Sequence, residues 1–174
     1  MMDAFQKLRL LTDGADHEEE GVPSITMCGG GKGSGVMDPE LGVNPKKFGV
    51  FHAQMGGGKT IPLLKTMLTT ACENDCHYCV FRQPRNVQRY SFTPEEMADA
   101  FMKMVRTGVV RGIFLSSGIA GSGMKSQDRL IKTIEILRQR YQYRGYVHLK
   151  VMPGSEESQI ERCMTICDRV SINL

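Results

Sequence analysis

Apolar positions along the second half of the chain follow two alternating periods. Ile61 to Leu68 is a nearly continuous apolar run, and Leu63 to Thr70 reads as a buried strand. Thr93-Pro94-Glu95-Glu96 then marks a helix start, with Thr as N-cap, Pro at the first helical position and Glu at the third. Met97, Ala100, Phe101, Met104 and Val105 recur at helical spacing, and Gly108 stops the pattern. Ile113 to Ser116 is a short strand. A second helix is expected from Ser126 or Asp128, with Leu130, Ile131, Ile134, Leu137 and Tyr141 along one face and Gly145 after it. Tyr146 to Val151 is a third strand. Ser155 is placed to cap a third helix, with Glu156 and Glu157 in the first turn, where the helix dipole favours acids. Its apolar face would be Ile160, Cys163, Met164 and Cys167, and Val170 to Leu174 is a fourth strand.

This rhythm is β-α-β-α-β-α-β. Right-handed crossovers make such a sheet parallel, either open or curled into a barrel. A sheet ending in its last strand, without a covering helix, is unfinished. The chain is therefore expected to be part of a longer protein, about the first half of a barrel. Residues 61–174 would form this core, and residues 1–60 an N-terminal extension. In the extension Phe5, Leu8 and Leu11 suggest a short helix over residues 3–11, followed by an acidic loop from Asp16 to Glu20. Gly21 to Gly58 is rich in Gly and Pro and is expected to be irregular. Gly58-Lys59-Thr60 ends like a phosphate-binding loop. The pattern requires Gly where Ala53 stands, and the run Gly29 to Gly35 contains no G-x-G-x-x-G, so neither stretch supports nucleotide binding.

Charge changes the picture more than bulk composition does. The 174 residues are 41% hydrophobic and carry a net charge of +3, which suits one globular domain and does not imply nucleic acid. The distribution is uneven: residues 1–40 hold 3 basic and 8 acidic side chains, whereas residues 59–94 hold 5 basic and 2 acidic. The basic excess includes Arg82, Arg85 and Arg89, which would suit a phosphate backbone. No run of 18 apolar residues spans a membrane, and the amphipathic, acidic N-terminus does not read as a signal peptide. A reducing, cytoplasmic setting follows, in which the 6 cysteines serve as thiols.

Three of those cysteines carry the candidate chemistry. Cys72, Cys76 and Cys79 stand in a C-x3-C-x2-C pattern directly after the first strand. Soft thiolates so spaced suit zinc or an iron–sulfur cluster, and three ligands leave one position open. A structural zinc site would be closed by four. In parallel sheets ligands bind at the carboxyl ends of strands. The cysteine loop, Ser116-Ser117-Gly118, Lys150, Ser171 and Asn173 all fall at or near that end. Cys163 and Cys167, at i, i+4, read first as apolar packing and second as an auxiliary metal pair. Cys28 is isolated. His77 reads as exposed, and His148 as packed or solvent-facing.

With an aromatic before its last cysteine, this pattern resembles the signature of the radical S-adenosylmethionine (radical SAM) family. The resemblance implies a partial (β/α)6 barrel in which Cys72, Cys76 and Cys79 hold three irons of a [4Fe–4S] cluster. The fourth iron would chelate S-adenosylmethionine, and an electron from a flavodoxin- or ferredoxin-like donor would cleave it to methionine and a 5′-deoxyadenosyl radical. Ser116, Ser117 and Gly118 match the family's Gly-Gly-Glu-like turn without its acid. Lys150 would face the carboxylate, Asn173 the ribose and Tyr78 the adenine. More narrowly, Leu64-Lys65 to Thr69, Phe114 to Gly118, Gly145 to Lys150, Pro153-Gly154 and Ser171 to Asn173 resemble DNA modification or repair radical SAM proteins. Those imply DNA and a uracil-DNA-glycosylase-like protein as partners. A non-enzymatic iron–sulfur or zinc module, serving structure or electron transfer, is the alternative.

Overall fold

A computed structural model describes residues 3–16, 48–54 and 58–172. Five strands form one sheet in the order β1-β2-β3-β4-β5. They are β1 (Val50–Gln54), β2 (Thr60–Met67), β3 (Gly112–Ser116), β4 (Tyr146–Val151) and β5 (Arg169–Ile172). β2 to β5 are parallel, and helices α2 (Pro94–Arg106), α3 (Gly123–Glu135) and α4 (Glu157–Ile166) connect them in turn. This is the expected mixed α/β architecture with a mainly parallel sheet, in keeping with a partial (β/α) barrel.

One face of the sheet makes the core. Leu64, Ile113, Leu115, Val147 and Leu149 are fully buried against Met97, Phe101, Leu130, Ile134, Leu137 and Cys163 of the helical layer. Each large side chain so buried contributes about 1.5–3 kcal/mol relative to exposure. The N-terminal helix α1 (Ala4–Asp16) joins that layer through Leu8, and Lys7 fixes it by an ion pair to Glu96 at 3.0 Å.

Several boundaries differ from the sequence reading, each for a local reason. The stretch from Gly21 to Gly58 was expected to be irregular throughout, yet Val50–Gln54 is a strand, antiparallel to β2 with Val50 opposite Leu64. Its five residues show no clean period-two alternation, and only the neighbouring strand makes them regular. The second crossover helix begins at Gly123, where Ser122 rather than Ser126 accepts the Lys125 N–H. Ser126 instead sits buried and accepts the Ala120 N–H. The last helix is capped by Glu156 with Gln159 in a capping box, not by Ser155. Ser155 donates to Met152 O at 2.7 Å. Met164, expected on the apolar face, is 67% exposed. The α2 start is as expected: Thr93 and Glu96 form a reciprocal capping box with Pro94 first. Gly108 follows the helix at φ +77°, a conformation that costs other residues about 1 kcal/mol. Helix α3 runs on into a single π turn, Ile136–Arg140. The segment from Asp16 to Glu20, Cys28 and the run Gly29 to Gly35, apart from the helical Asp16, lie outside the described residues, as does Asn173. Among the described residues no helix is long and apolar enough to cross a membrane.

Candidate metal centre and open sheet face

The cysteine loop leaves the carboxyl end of β2 and returns beside it. At its neck Leu68 and Thr70 meet Phe92 and Tyr90 through antiparallel hydrogen bonds of 2.8 and 2.9 Å, and Leu68 also donates to Ser116 O of β3. Arg89 closes the neck. Its guanidinium donates to four backbone carbonyls, those of Thr70, Phe81, Arg82 and Arg85, at 2.6–3.0 Å. Thr70 precedes the cysteines and the other three follow them, so one side chain ties both limbs together. Arg89 is thus committed inward and is not free for a phosphate backbone. Arg82 forms a partly exposed ion pair with Asp75 at 3.4 Å, and Arg85 is exposed.

The segment after β3 buttresses the loop from the other side. Gly118 donates to Thr69 O at 2.7 Å, and a Cβ on Gly118 would lie 2.2 Å from Ala71 O. No residue larger than glycine fits that approach. The Ile119 N–H points at Cys72 Sγ, 3.4 Å away, and the Glu73 N–H donates to Ile119 O. Glu73 Oε1 accepts from Gly121 N at 2.7 Å. The donors at Ile119 and Gly121 and the clamp at Arg89 carry no sequence signature. They act through backbone atoms, and Arg89 looks like any loop arginine until its partners are seen.

Cys72, Cys76 and Cys79 form no disulfide, and each is partly exposed. Cys76 and Cys79 share one tight turn, with the Cys79 N–H on Cys76 O at 2.8 Å. The donor set, three cysteine thiols in one loop with an N–H aimed at one sulfur, fits a soft metal or an iron–sulfur cluster. Among the described residues no three of Cys, His, Asp and Glu are yet drawn into one coordination sphere. Tyr78 is 73% exposed beside them, and His77 is exposed. Ser117 is buried and its hydroxyl is taken up by Gly118 O at 2.8 Å, which leaves Ser116 as the hydroxyl on the open side.

The sheet face opposite the helices is built from strand residues two apart. Lys65, Phe114, His148 and Arg169 stand in one row across β2 to β5. One step nearer the cysteine loop, Met67 pairs with Ser116 and Lys150 with Ser171. The Lys65 ammonium lies 6.0 Å from the Phe114 ring, the Phe114 and His148 rings are 4.4 Å apart, and His148 Nε2 meets Ser171 Oγ at 2.8 Å. Burial lowers the Lys150 pKa, Lys65 lowers it further, and Cys79 opposes the shift. Lys150 is therefore within electrostatic reach of the third cysteine.

Burial, then Arg169 and Lys150, depress the His148 pKa from 6.5 to about 4. An unfolded chain takes up this proton before the folded one does. The contribution of His148 to stability is therefore flat above pH 6.5 and is lost between pH 6.5 and 4, by about 2 kcal/mol after allowing for partial exposure of the ring. His148→Gln should flatten that limb in urea titrations across the same range. An unchanged slope would remove His148 as its source.

The two remaining described cysteines are packing residues. Cys163 is buried and accepts from Gln127 Nε2, while Gln127 Oε1 accepts the Met152 N–H at 2.9 Å. Burial raises the Cys163 pKa and pushes Cys167 up to about 12, so neither favours the thiolate form.

The fold and site thus define a mainly parallel α/β protein whose first parallel strand carries a three-cysteine loop at its carboxyl end. The family model for the radical SAM superfamily matches residues 66–174, more than half of the chain, and the chain belongs to that superfamily. No curated protein matches it closely enough to add a relative.

Proposed function

We propose that the chain carries out radical SAM chemistry, with Cys72, Cys76 and Cys79 as ligands of a [4Fe–4S] cluster. The observation that carries this is the cysteine loop at the end of β2 in a member of the radical SAM superfamily. Cys72, Cys76 and Cys79 would hold a cluster that, with a flavodoxin- or ferredoxin-like donor, would supply one-electron reductive cleavage of S-adenosylmethionine for hydrogen abstraction from substrate. The chain's own residues bind and orient. Arg89 and Gly118 fix the loop, Ile119 N–H points at Cys72 Sγ, and Lys150 and Ser116 offer a cation and a hydroxyl to the methionine moiety. Tyr78 is assigned to the adenine and Asn173, next in sequence after β5, to the ribose. The substrate we infer is a nucleic acid or nucleotide. The exposed cations Lys65 and Arg85 near the cysteine loop and the resemblance of the segments named above to DNA modification or repair proteins support that reading, and a uracil-DNA-glycosylase-like partner goes with it.

Anaerobic reconstitution with iron and sulfide tests the proposal. The expected result is about four irons per chain and a cluster spectrum, with Cys76→Ala losing most of the iron at unchanged helix content. Zinc bound by the same cysteines, with no cluster formed, would favour the structural-module alternative. Cys76→Ala retaining full iron would sink the ligand assignment. Deoxyadenosine release from S-adenosylmethionine after reduction then tests the chemistry.

A further inference from the structure

The open sheet face holds more positive charge than the cluster site needs. Its polar residues are Lys65, Ser116, Tyr146, His148, Lys150, Arg169 and Ser171, and no carboxylate stands among them. Among the described residues, none of the ion pairs involves Lys65, Lys150 or Arg169. The cations oppose one another: Lys65 depresses Lys150, and Arg169 and Lys150 depress His148. Among the described residues other cations do have carboxylate partners, as Arg138 has Asp168 and Arg162 has Glu135. Lys65 and Arg169 are exposed while His148 and Lys150 are partly buried, and like charges left side by side on one face repel one another until an anion joins them.

The face is also layered. Lys150 and Ser171 lie on the cysteine side, and the row Lys65, Phe114, His148, Arg169 lies about 7 Å deeper, two residues back along each strand. Three strand spacings, about 14 Å, separate the backbones of Lys65 and Arg169, with the two rings between them. Phe114 and His148 offer aromatic surface, and a neutral imidazole can both donate and accept. A planar ring carrying a phosphate matches this row: the ring goes to Phe114 and His148, and the phosphate to Lys65 or Arg169.

We propose that the row Lys65, Phe114, His148 and Arg169 is a binding site for a phosphate-bearing ring compound, a nucleotide unit, separate from the Lys150 level assigned to S-adenosylmethionine. The assignment of depth rests on the radical SAM reading, whereas anion binding by the row does not.

The test measures binding of dTMP, thymidine and a short single-stranded oligothymidylate by calorimetry, using the whole chain at low salt without a cluster. dTMP or the oligonucleotide should bind at least about 10-fold more tightly than thymidine, with affinity falling as salt rises. Lys65→Met and Arg169→Gln should each weaken that binding by about 10-fold, and Arg162→Gln, on the helical side, should leave it unchanged. In the unaltered protein dTMP should protect Lys65 from acetylation while the exposed Lys132 still reacts, a readout that does not depend on variant folding. If dTMP alone binds, the site takes a free nucleotide; if the oligonucleotide binds far better, it takes a strand. Equal affinity for thymidine and dTMP, or unprotected Lys65, would overturn the proposal. Cluster formation is read separately. A chain that loads iron but ignores dTMP sinks this site and spares the enzyme reading, and the reverse outcome does the opposite.

Discussion

Gly118→Ala is expected to lower the melting temperature by about 10 °C and to abolish most iron loading. The added Cβ would lie 2.2 Å from Ala71 O, 3.0 Å from its carbonyl carbon and 3.2 Å from Cys72 Cβ. These are mostly backbone atoms, so no flexible side chain can yield. Either the β3–α3 connection or the cysteine loop must move. Overpacking of this kind costs about 3 kcal/mol, and at this chain length each kcal/mol lowers the melting temperature by about 2–4 °C. The movement also separates Ile119 N–H from Cys72 Sγ, now 3.4 Å apart, and weakens the 2.7 Å bond from Gly118 to Thr69. Gly108→Ala is the control. It forces alanine to φ +77° but meets nothing within 4 Å, so it should cost about 1 kcal/mol and leave iron loading intact. Differential scanning fluorimetry with iron assay reads both. Equal iron loading in the two variants would show that the close approach at Gly118 does not shape the metal loop.

The physics of each element explains what the sequence disclosed. The parallel core was legible because its strands are continuous apolar runs and its helices carry caps at fixed offsets, as at Thr93 and Glu96. Strand β4 falls on Tyr146–Val151, as its flanking residues indicate. The helix starts at Ser122 and Glu156 were misread because several residues nearby could cap, and only tertiary contacts choose. Ser126 was buried and Ser155 was drawn to Met152 O. Strand β1 was illegible because an edge strand of five residues draws its regularity from the partner it pairs with. In the site, thiol spacing was legible and support was not. Arg89, Glu73 and Gly118 act on backbone atoms close in space but far from any pattern. The open row was half visible: the common direction of His148 and Lys150 follows from a period of two. Their alignment with Lys65, Phe114 and Arg169 depends on strand register, which no single strand encodes.

Arg89→Ala should release the cysteine loop while leaving the sheet folded. The guanidinium satisfies four carbonyls from both limbs, at 2.6–3.0 Å. Truncation strands those acceptors, and the part-buried ones at Thr70, Phe81 and Arg82 lose a charge-assisted partner. Each buried acceptor left alone costs about 1–3 kcal/mol. Water will reach the carbonyl at Arg85, so the net loss should be about 3–4 kcal/mol. The neck bonds between Leu68 or Thr70 and Phe92 or Tyr90 belong to the loop base and should persist. Hydrogen exchange should therefore separate the two regions. Amides of Cys79, Arg82 and Gln83, bonded within the loop, should exchange at least about 100-fold faster, while those of β3 and β4 keep their protection. Arg89→Lys should restore little, because one ammonium with three donors cannot span four carbonyls held by a planar fork. Added guanidinium ion at non-denaturing concentration should partly restore protection in Arg89→Ala. Unchanged exchange across residues 72–85 would mean that the loop is held by its own turns and that Arg89 is dispensable to it.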